Sequence, residues 1–238
     1  MTGPHKPEVL VFDVNETLLD IDTLMPLFER LFGDGMVMRE WFAQLVLYSE
    51  AMALSGRYTP FGTIGAGVLR MLGEIRGVPV GDGDVAELRA RTLDMPAHAD
   101  VMPALERLKN AGFRLVTLTN SAPDPEASPL QRSGIAGLTE RQFSVDAVRR
   151  FKPHPDCYRQ VAEALNLPAT AFCMVAAHVW DTAGAQSLGW SGALVARPGN
   201  AVPSVPNLPQ PDLVAPDLGS LAAAMIEAWR RQRTPSYA

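Results

Sequence analysis

The sequence feature that most constrains the fold is a run of four apolar residues near the N-terminus, Val9 to Phe12, which ends in Asp13. The run does not alternate with polar residues, a pattern typical of a strand buried on both faces in a parallel sheet. In open α/β sheets ligands bind beyond the carboxyl ends of the strands. Asp13 is therefore a candidate for chemistry, although Asp13 and Asn15 are also consistent with an ordinary turn.

The rest of the chain divides into a helical segment and a segment in which helices and strands alternate. Residues 21–97 have apolar residues at helical spacing and no clear strand, whereas residues from 98 onward alternate between helix and strand. The second segment includes a helix predicted at 125–132 and a strand at 143–145. We predict an α/β fold: a doubly wound parallel-sheet core (1–20 and 98–238) with an inserted helical domain (21–97) over the carboxyl edge of the sheet.

Composition and charge argue against several classes of protein. The 238 residues are 47% hydrophobic and 20% charged, with a net charge of -5 and no basic stripe, so neither disorder nor nucleic-acid binding is expected. No run approaches the ~20 apolar residues of a membrane span, and the N-terminus lacks a signal segment. Cys157 and Cys173 have no metal-ligand spacing and are expected to be reduced. We expect a soluble cytoplasmic protein.

Polar residues follow three of the predicted buried strands. Asp13 follows the first, Thr119-Asn120-Ser121 the second, and the stretch from His178 to Asp181 the fourth. Lys152 precedes Pro153 in a further connection between strand and helix. Parallel topology brings these positions to one edge of the sheet, and a turn or cap explains one of them but not the set. The sequence therefore predicts an active site there.

The order and spacing of these residues resemble the four motifs of the haloacid dehalogenase superfamily, over nearly the whole chain. The segments FDVNETLLD, FKPHPDCY and VAAHVWDTAGAQSLGW are most similar to the type II (S)-2-haloacid dehalogenases, and the helical insert matches their cap in position. The resemblance implies a Rossmann-like core with a helical cap and a homodimer. It also implies hydrolysis of short 2-haloacids to 2-hydroxyacids, without a metal or other cofactor.

The resemblance assigns catalytic roles at the sheet edge. Asp13 displaces the halide to form an ester, Lys152 keeps Asp13 ionised beside the substrate carboxylate, and Asp181 holds the water that hydrolyses the ester. His178 departs from the family pattern, but its place three residues before Asp181 makes it a further candidate base or donor for that water. The predicted catalytic residues are Asp13, Thr17, Lys152, His178 and Asp181. Each role has a structural alternative: Lys152 as a surface lysine, Asp181 as the N-cap of the next helix, and His178 as a packed histidine.

The substrate is expected to contact a second group of residues. They are Val14, Asn15, Arg39, Thr119, Asn120, Tyr158 and Trp180. Thr119, like Thr17, is expected to hydrogen-bond beside the nucleophile, whereas Tyr158 lies near it or only packs. The halide-binding arginine of the family's cap corresponds most nearly to Arg39 and next to Arg57, and either is also consistent with a solvated helix face. Candidate walls of an apolar pocket, or else core residues, are Trp41, Phe42, Phe61 and Trp180.

The chain departs from the family pattern near the expected water site, which keeps two rival functions open. Ala176 and His178 stand where the best-known members carry Ser and Asn, and Asn15 stands where many carry Tyr. A phosphatase of the same fold is disfavoured because Asn15 replaces its acid–base Asp and because Ala176, Ala177 and His178 supply no further magnesium ligands. A non-catalytic binding protein is disfavoured by the intact Asp13 and its partners.

Overall fold

The apolar run forms strand β1, Val9–Phe12, near the centre of a six-stranded parallel sheet. The computed structural model describes residues 7–123 and 128–231. The other strands are β2 Arg114–Thr119, β3 Arg141–Ser144, β4 Phe172–Ala176, β5 Ser191–Val195 and β6 Leu213–Ala215. Every residue of β1 and β4 is buried, which explains their unbroken apolar sequences.

The strand order, β3-β2-β1-β4-β5-β6, reverses direction at β1. The chain moves outward from β1 through β2 to β3 and then returns to β4 on the other side of β1. Phe12 pairs with Thr117 of β2 and with Val175 of β4, so the three strands end within two residues of one another. This reversal creates the crevice in which open α/β sheets bind ligands. The predicted doubly wound parallel sheet is confirmed.

Helices fill the segment between β1 and β2 and alternate with the later strands. The first group is α1 Met25–Phe32, α2 Val37–Leu54, α3 Phe61–Arg76 and α4 Asp82–Leu93. The second group is α5 Val101–Asn110, α6 Pro129–Arg132, α7 Pro155–Leu165, α8 Val179–Gln186 and α9 Leu218–Arg231. Gly33 and Gly77 end α1 and α3 in the left-handed conformation, with φ of 70° and 66°.

The helical segment is closed at its base, where its two connections to the sheet pair with each other. Leu19 forms an antiparallel bridge with Ala97. Beside it, the backbone N–H of Asp20 donates to the carbonyl oxygen of Pro96 at 2.8 Å. The chain therefore enters and leaves the helical segment at one place, which we call the stem.

Within the helical segment, α2 and α3 approach closely at Gly65. A Cβ atom there would lie 3.1 Å from the Trp41 ring, and Trp41 Nε1 donates to the carbonyl oxygen of Gly65 at 2.9 Å. Trp41 is thus a core residue of the segment and not a pocket wall.

Three predicted elements differ from the structure at their ends. β3 begins at Arg141 rather than at residue 143, because this edge strand exposes Arg141 and Gln142 and so lacks an apolar pattern there. Of the helix predicted at 125–132, only α6 is helical among the described residues, and positions 125–127 lie outside them. α8 begins at Val179, so Asp181, a possible N-cap in the sequence, lies within the helix.

Both cysteines are buried, and neither forms a disulfide. Burial raises the pKa of both thiols, that of Cys157 to about 12, so they stay protonated and unreactive at neutral pH. Across residues 7–123 and 128–231, no helix combines the length and the apolar character that crossing a membrane requires.

Candidate active site

Asp13 lies directly beyond β1, in the crevice between the loops that follow β1 and β4. Its backbone N–H donates to the carbonyl oxygen of Val175 at 3.0 Å, which continues the β1–β4 pairing by one residue. Thr17 Oγ1 donates to Asp13 Oδ2 at 2.7 Å and accepts a hydrogen bond from the backbone N–H of Ala177 at 2.8 Å. Thr17 therefore fixes the carboxylate against the end of β4.

The ammonium of Lys152 lies between two buried carboxylates. Its Nζ donates to Asp13 Oδ1 at 2.7 Å, to Asp181 Oδ2 at 2.6 Å and to the carbonyl oxygen of Leu118 at 3.0 Å. The side chain of Lys152 is fully buried, so the alternative of a solvated surface lysine is wrong. Asn120 Oδ1 accepts from the backbone N–H of Lys152 at 3.0 Å and holds the loop that carries it.

Asp181 lies in the first turn of α8, where both of its carboxylate oxygens are hydrogen-bonded. Oδ2 contacts Lys152, and Oδ1 accepts from the Tyr158 hydroxyl at 2.8 Å. His178, and not Asp181, occupies the N-cap position, because the helix begins at Val179. The N-cap alternative for Asp181 is therefore wrong, and Tyr158 contacts Asp181 rather than the nucleophile.

Burial and charge act differently on the two carboxylates. Burial alone would raise the pKa of Asp13, but the positive charges of Lys152 and His178 outweigh it and hold that pKa well below its usual range. Burial raises the pKa of Asp181, which Lys152 opposes and the negative charge of Asp13 reinforces. Burial would lower the pKa of Lys152, but the two carboxylates raise it. Asp13 is thus the more acidic of the two carboxyl groups and Asp181 the more basic.

His178 is buried between Asp13 and Glu16. Its Nε2 lies 2.7 Å from Glu16 Oε2, and its Nδ1 lies 3.6 Å from Asp13 Oδ2, which is longer than a hydrogen bond. Burial would lower the pKa of His178, but its contacts with Asp13 and Glu16 raise it to about 9. A charged imidazole cannot accept a proton, so this geometry argues against His178 as the base at neutral pH.

Glu16 is a member of the site that sequence reasoning missed. It is buried, its backbone has a positive φ of 66°, and its Oε1 pairs with Arg39 Nη1. The sequence clue that could have identified Glu16 was its position between Asn15 and Thr17, both of which were predicted site residues. Arg197 was also missed: its guanidinium donates to the carbonyl oxygen of Thr17 at 3.0 Å and fixes the loop after β1.

A narrow pocket separates Asp13 from the helical segment. It is lined by Asp13, Asn15, Phe42, Val46, Phe61, Asn120, His178 and Trp180. Its free volume is about 10 Å³, space for about one water molecule. Apolar rings from α2 and α3 thus close over a charged floor.

A family model described as haloacid dehalogenase-like hydrolase matches residues 7–189. The chain belongs to the haloacid dehalogenase-like hydrolases. The (S)-2-haloacid dehalogenase of Xanthobacter autotrophicus is 32% identical to it over 195 residues, or 80% of this chain and 75% of that one. Haloacetate dehalogenase H-2 of Moraxella sp. (strain B) is 27% identical, over 82% and 88% of the two chains. These matches confirm the family predicted from the sequence motifs.

A solved structure of the L-2-haloacid dehalogenase from Xanthobacter autotrophicus, with chloropropionic acid covalently bound, has the same fold. Its TM-score is 0.81 at 27% identity, and the match covers 91% of this chain and 97% of that one. The predicted fold class is confirmed at the level of the whole chain.

The structure of this dehalogenase-like hydrolase brings most of the predicted site residues together. One contact network contains Asp13, Thr17, Asn120, Lys152, Tyr158, His178 and Asp181. Asn15 and Trp180 line the pocket beside it. Thr119 Oγ1 instead accepts from the backbone N–H of Ser121 at 3.1 Å, and Val14 is buried outside the pocket lining.

Neither arginine considered for halide binding lines the pocket. Arg39 pairs with Glu16 and with Asp22 Oδ1, the latter at 2.6 Å, and Arg57 is exposed. Within the described ranges 7–123 and 128–231, no group of three or more His, Cys, Asp or Glu side chains is placed to hold a metal ion. The Lys152 ammonium is the cation that lies between the two Asp carboxylates.

Proposed function

We propose that the protein hydrolyses short 2-haloacids to 2-hydroxyacids through an ester on Asp13. The observation that carries this proposal is a buried carboxylate, held ionised by a buried lysine, at the floor of a small pocket with apolar walls. Asn15 supports it against phosphatase chemistry, because its amide donates to Ser121 Oγ at 3.3 Å and offers no acid to a leaving group.

In the first step an oxygen of Asp13 attacks the carbon that bears the halogen. The new carbon–oxygen bond forms as the carbon–halogen bond breaks, and the halide leaves with the electron pair on the opposite face, which inverts the carbon. Phe42, Phe61 and Trp180 line the pocket with apolar rings, which exclude water from it. Lys152 keeps Asp13 ionised although the substrate is itself a carboxylate.

In the second step water attacks the carbonyl carbon of the Asp13 ester. Asp181, the more basic carboxylate, takes the proton from this water, while the Tyr158 hydroxyl holds its other oxygen at 2.8 Å. When Asp13 Oδ2 carries the substrate, Lys152 Nζ, which already contacts Oδ1, stabilises the negative charge that develops on Oδ1 in the tetrahedral intermediate, and Thr17 Oγ1 stays beside the ester oxygen. As the intermediate collapses, the bond between the Asp13 carbonyl carbon and the substrate oxygen breaks, and Asp181 returns its proton to that oxygen, which releases the 2-hydroxyacid. Asp13 keeps one oxygen from water and loses the remaining proton to solvent.

Residues 21–97 form the cap domain in this proposal, and residues 1–20 and 98–238 form the core. The cap supplies Phe42 and Phe61 to the pocket, and the hydroxyl of Tyr58 donates to Asp146 Oδ1 of the core at 2.6 Å. A pocket with space for about one water must enlarge to admit a 2-haloacid. The cap therefore moves away from the core when substrate enters.

A single turnover in water enriched in oxygen-18 tests the ester mechanism. With enzyme in excess over 2-chloropropionate, label is expected in Asp13 and not in the product, because the product oxygen comes from the carboxylate. Mass spectrometry of the peptide that contains Asp13 and of the released lactate measures both. Label found directly in lactate, with none on the protein, would contradict the proposal.

Activity is expected to survive exhaustive chelation, because the Lys152 ammonium supplies the positive charge between the two carboxylates. Chloride release from 2-chloropropionate would be measured before and after treatment with EDTA and removal of the chelator. A matched assay with a phosphate monoester checks for the rival chemistry. Loss of activity that magnesium restores would contradict the proposal.

The protein is also proposed to be a cytoplasmic homodimer. The buried thiols of Cys157 and Cys173 fit a reducing compartment. Leu47 and Leu54 of α2 are 54% and 89% exposed, which supports an apolar contact between two copies. Sedimentation is expected to give twice the 25.7 kDa of one chain, and Leu47→Glu is expected to give the monomer. A monomeric wild type would contradict the dimer.

A further inference from the structure

Charged side chains of alternating sign form a continuous chain through the site. It begins in the core at α8, passes through the nucleophile and ends on the helical segment. Its members, in order, are Asp181, Lys152, Asp13, His178, Glu16, Arg39 and Asp22. The part beyond Asp13 has no role in the mechanism described so far.

Both terminal nitrogens of Arg39 are hydrogen-bonded at the outer end of this chain. Nη1 pairs with Glu16 Oε1, and Nη2 donates to Asp22 Oδ1 at 2.6 Å and to the carbonyl oxygen of Pro198 at 3.4 Å. A Cβ on Gly199 would lie 3.7 Å from its Cζ, so the guanidinium is also covered by the loop after β5. Nη1 and Nη2 are thus occupied by Glu16, Asp22 and the carbonyl oxygen of Pro198.

His178, by contrast, lines the pocket and keeps one donor free. Nε2 lies 2.7 Å from Glu16 Oε2, whereas the buried Nδ1 has no hydrogen-bond partner among the residues that the structure describes. In an imidazolium both ring nitrogens carry hydrogen, so Nδ1–H is an unused donor beside Asp13. The ring packs between Phe42 of α2 and Trp180 of α8, at 5.6 and 5.1 Å between ring centroids.

The charged groups that face His178 favour its protonated form. Asp13 and Glu16 contact the ring directly, while Phe42 and Trp180 bring no charge. Two cations follow on the charged chain: Asp13 separates Lys152 from His178, and Glu16 separates Arg39 from His178. Burial would lower the pKa of His178, but these two acids raise it to about 9.

The position of Nδ1 selects the part of the substrate that it can reach. Nδ1 lies 3.6 Å from Asp13 Oδ2, on the side of the nucleophile. In an in-line displacement the halide leaves on the far side of the reacting carbon, whereas the carboxylate on that carbon stays beside the attacking oxygen. The free donor therefore faces the substrate carboxylate and not the departing halide.

We propose that Glu16 is a positioning residue that draws Arg39 out of the pocket and makes His178 the cationic donor for the substrate carboxylate. This inference rests on the proposed function for the identity of that carboxylate. The buried Glu16 carboxylate contacts Arg39 through Oε1 and His178 through Oε2. It acts through His178 and touches no substrate atom itself.

The test measures binding of propionate, a carboxylate without a leaving group, by the full-length protein as a function of pH. Propionate affinity of the wild type is expected to hold from pH 6 to 8 and to fall above about pH 9, as His178 loses its proton. Glu16→Gln keeps the size of the side chain but removes its charge, which lowers the pKa of His178. Affinity is then expected to be roughly tenfold weaker at pH 8 and to recover at pH 6.

Two further variants separate the cations. His178→Gln is expected to weaken propionate roughly tenfold or more at every pH and to leave bromide inhibition unchanged. Arg39→Gln is expected to lower the Tm but not to weaken propionate binding. Arg76→Gln, which removes a surface pair with Glu40 on the same segment, is its matched control.

The inference is overturned if Arg39→Gln weakens propionate and His178→Gln does not. It is equally overturned if Glu16→Gln weakens propionate binding to the same extent at pH 6 and pH 8, because damage to the fold would not be reversed at the lower pH.

Should Glu16→Gln fail to fold, NMR titration of the labelled His178 ring in the wild type, with and without propionate, tests the proposal instead. An unchanged His178 signal would sink the proposal. Propionate binding needs no turnover, so absence of halide release counts against the proposed function alone.

Discussion

Asp13→Asn is expected to lower kcat for halide release on the order of ten-thousand-fold or more, because the variant keeps the pocket but loses the nucleophile. The amide is close to the carboxylate in size, and with its oxygen toward Lys152 it still accepts that hydrogen bond while its NH2 group faces Thr17 Oγ1, so the fold is expected to persist. Chloride release from 2-chloropropionate measures the loss, and circular dichroism checks the fold.

A matched control is Asp82→Asn, since the Asp82 side chain is fully exposed at the start of α4. This variant is expected to match the wild type in rate and Tm. If Asp13→Asn kept more than about a hundredth of the activity, attack would have to come from water directly, and the ester mechanism would be wrong.

Lys152→Met is expected to abolish activity and also to destabilise the fold by about 3–5 kcal/mol at pH 7, because it leaves two buried carboxylates without their cation. Methionine has nearly the length of lysine, so the effect reports the lost charge rather than a cavity. Without the ammonium, Asp13 and Asp181 repel each other, and one of them takes a proton. A protonated Asp13 is no longer a nucleophile.

The pH dependence of this loss has a defined sign. In the wild type the pKa of Asp13 is lowered, so its contribution to the free energy of unfolding is present above its ordinary pKa of 3.8 and is lost as pH falls. In the variant both buried carboxylates have raised pKa values, which destabilises the fold as pH rises. The difference in unfolding free energy between the two proteins should therefore be largest near pH 7 and shrink toward pH 4.

Urea unfolding at several pH values measures this difference. Lys109→Met is the control, because Lys109 is exposed and donates only at 3.4 Å to the carbonyl oxygen of Gly137. It is expected to shift the urea midpoint little at any pH. A Lys152→Met variant that is as stable at pH 7 as at pH 4 would show that the ammonium does not neutralise the two carboxylates.

The convergence of Asp13, Lys152 and Asp181 could be predicted from the sequence because topology alone brings them to one edge of the sheet. An unbroken apolar run marks β1, and every parallel strand that ends in a polar group must place it at the same edge. The same reasoning predicts the position of Lys152 at this edge. It does not predict that Lys152 is fully buried, because a Lys-Pro pair in a loop can lie either on the surface or in the core.

The contacts of Glu16 and Arg39 could not be predicted in this way. They join a loop of the core to a helix of the inserted segment, and neither apolar spacing nor turn chemistry gives the orientation of one relative to the other. The position of Asp181 was mispredicted as a possible N-cap for a simpler reason. His178 and Val179 give no clear capping signal, so the start of α8 could not be read to the residue.

The stem formed by the Leu19–Ala97 bridge has a consequence for how such enzymes diversify. Both ends of the helical segment are anchored within one pair of connections, so the segment can be replaced as a unit while the catalytic floor keeps its geometry. Asp13 and Lys152 belong to the floor of the pocket, whereas Phe42 and Phe61 belong to the helical segment that would be replaced. Recombination at the stem would therefore produce chimaeras that share one chemistry and differ in the molecules they admit.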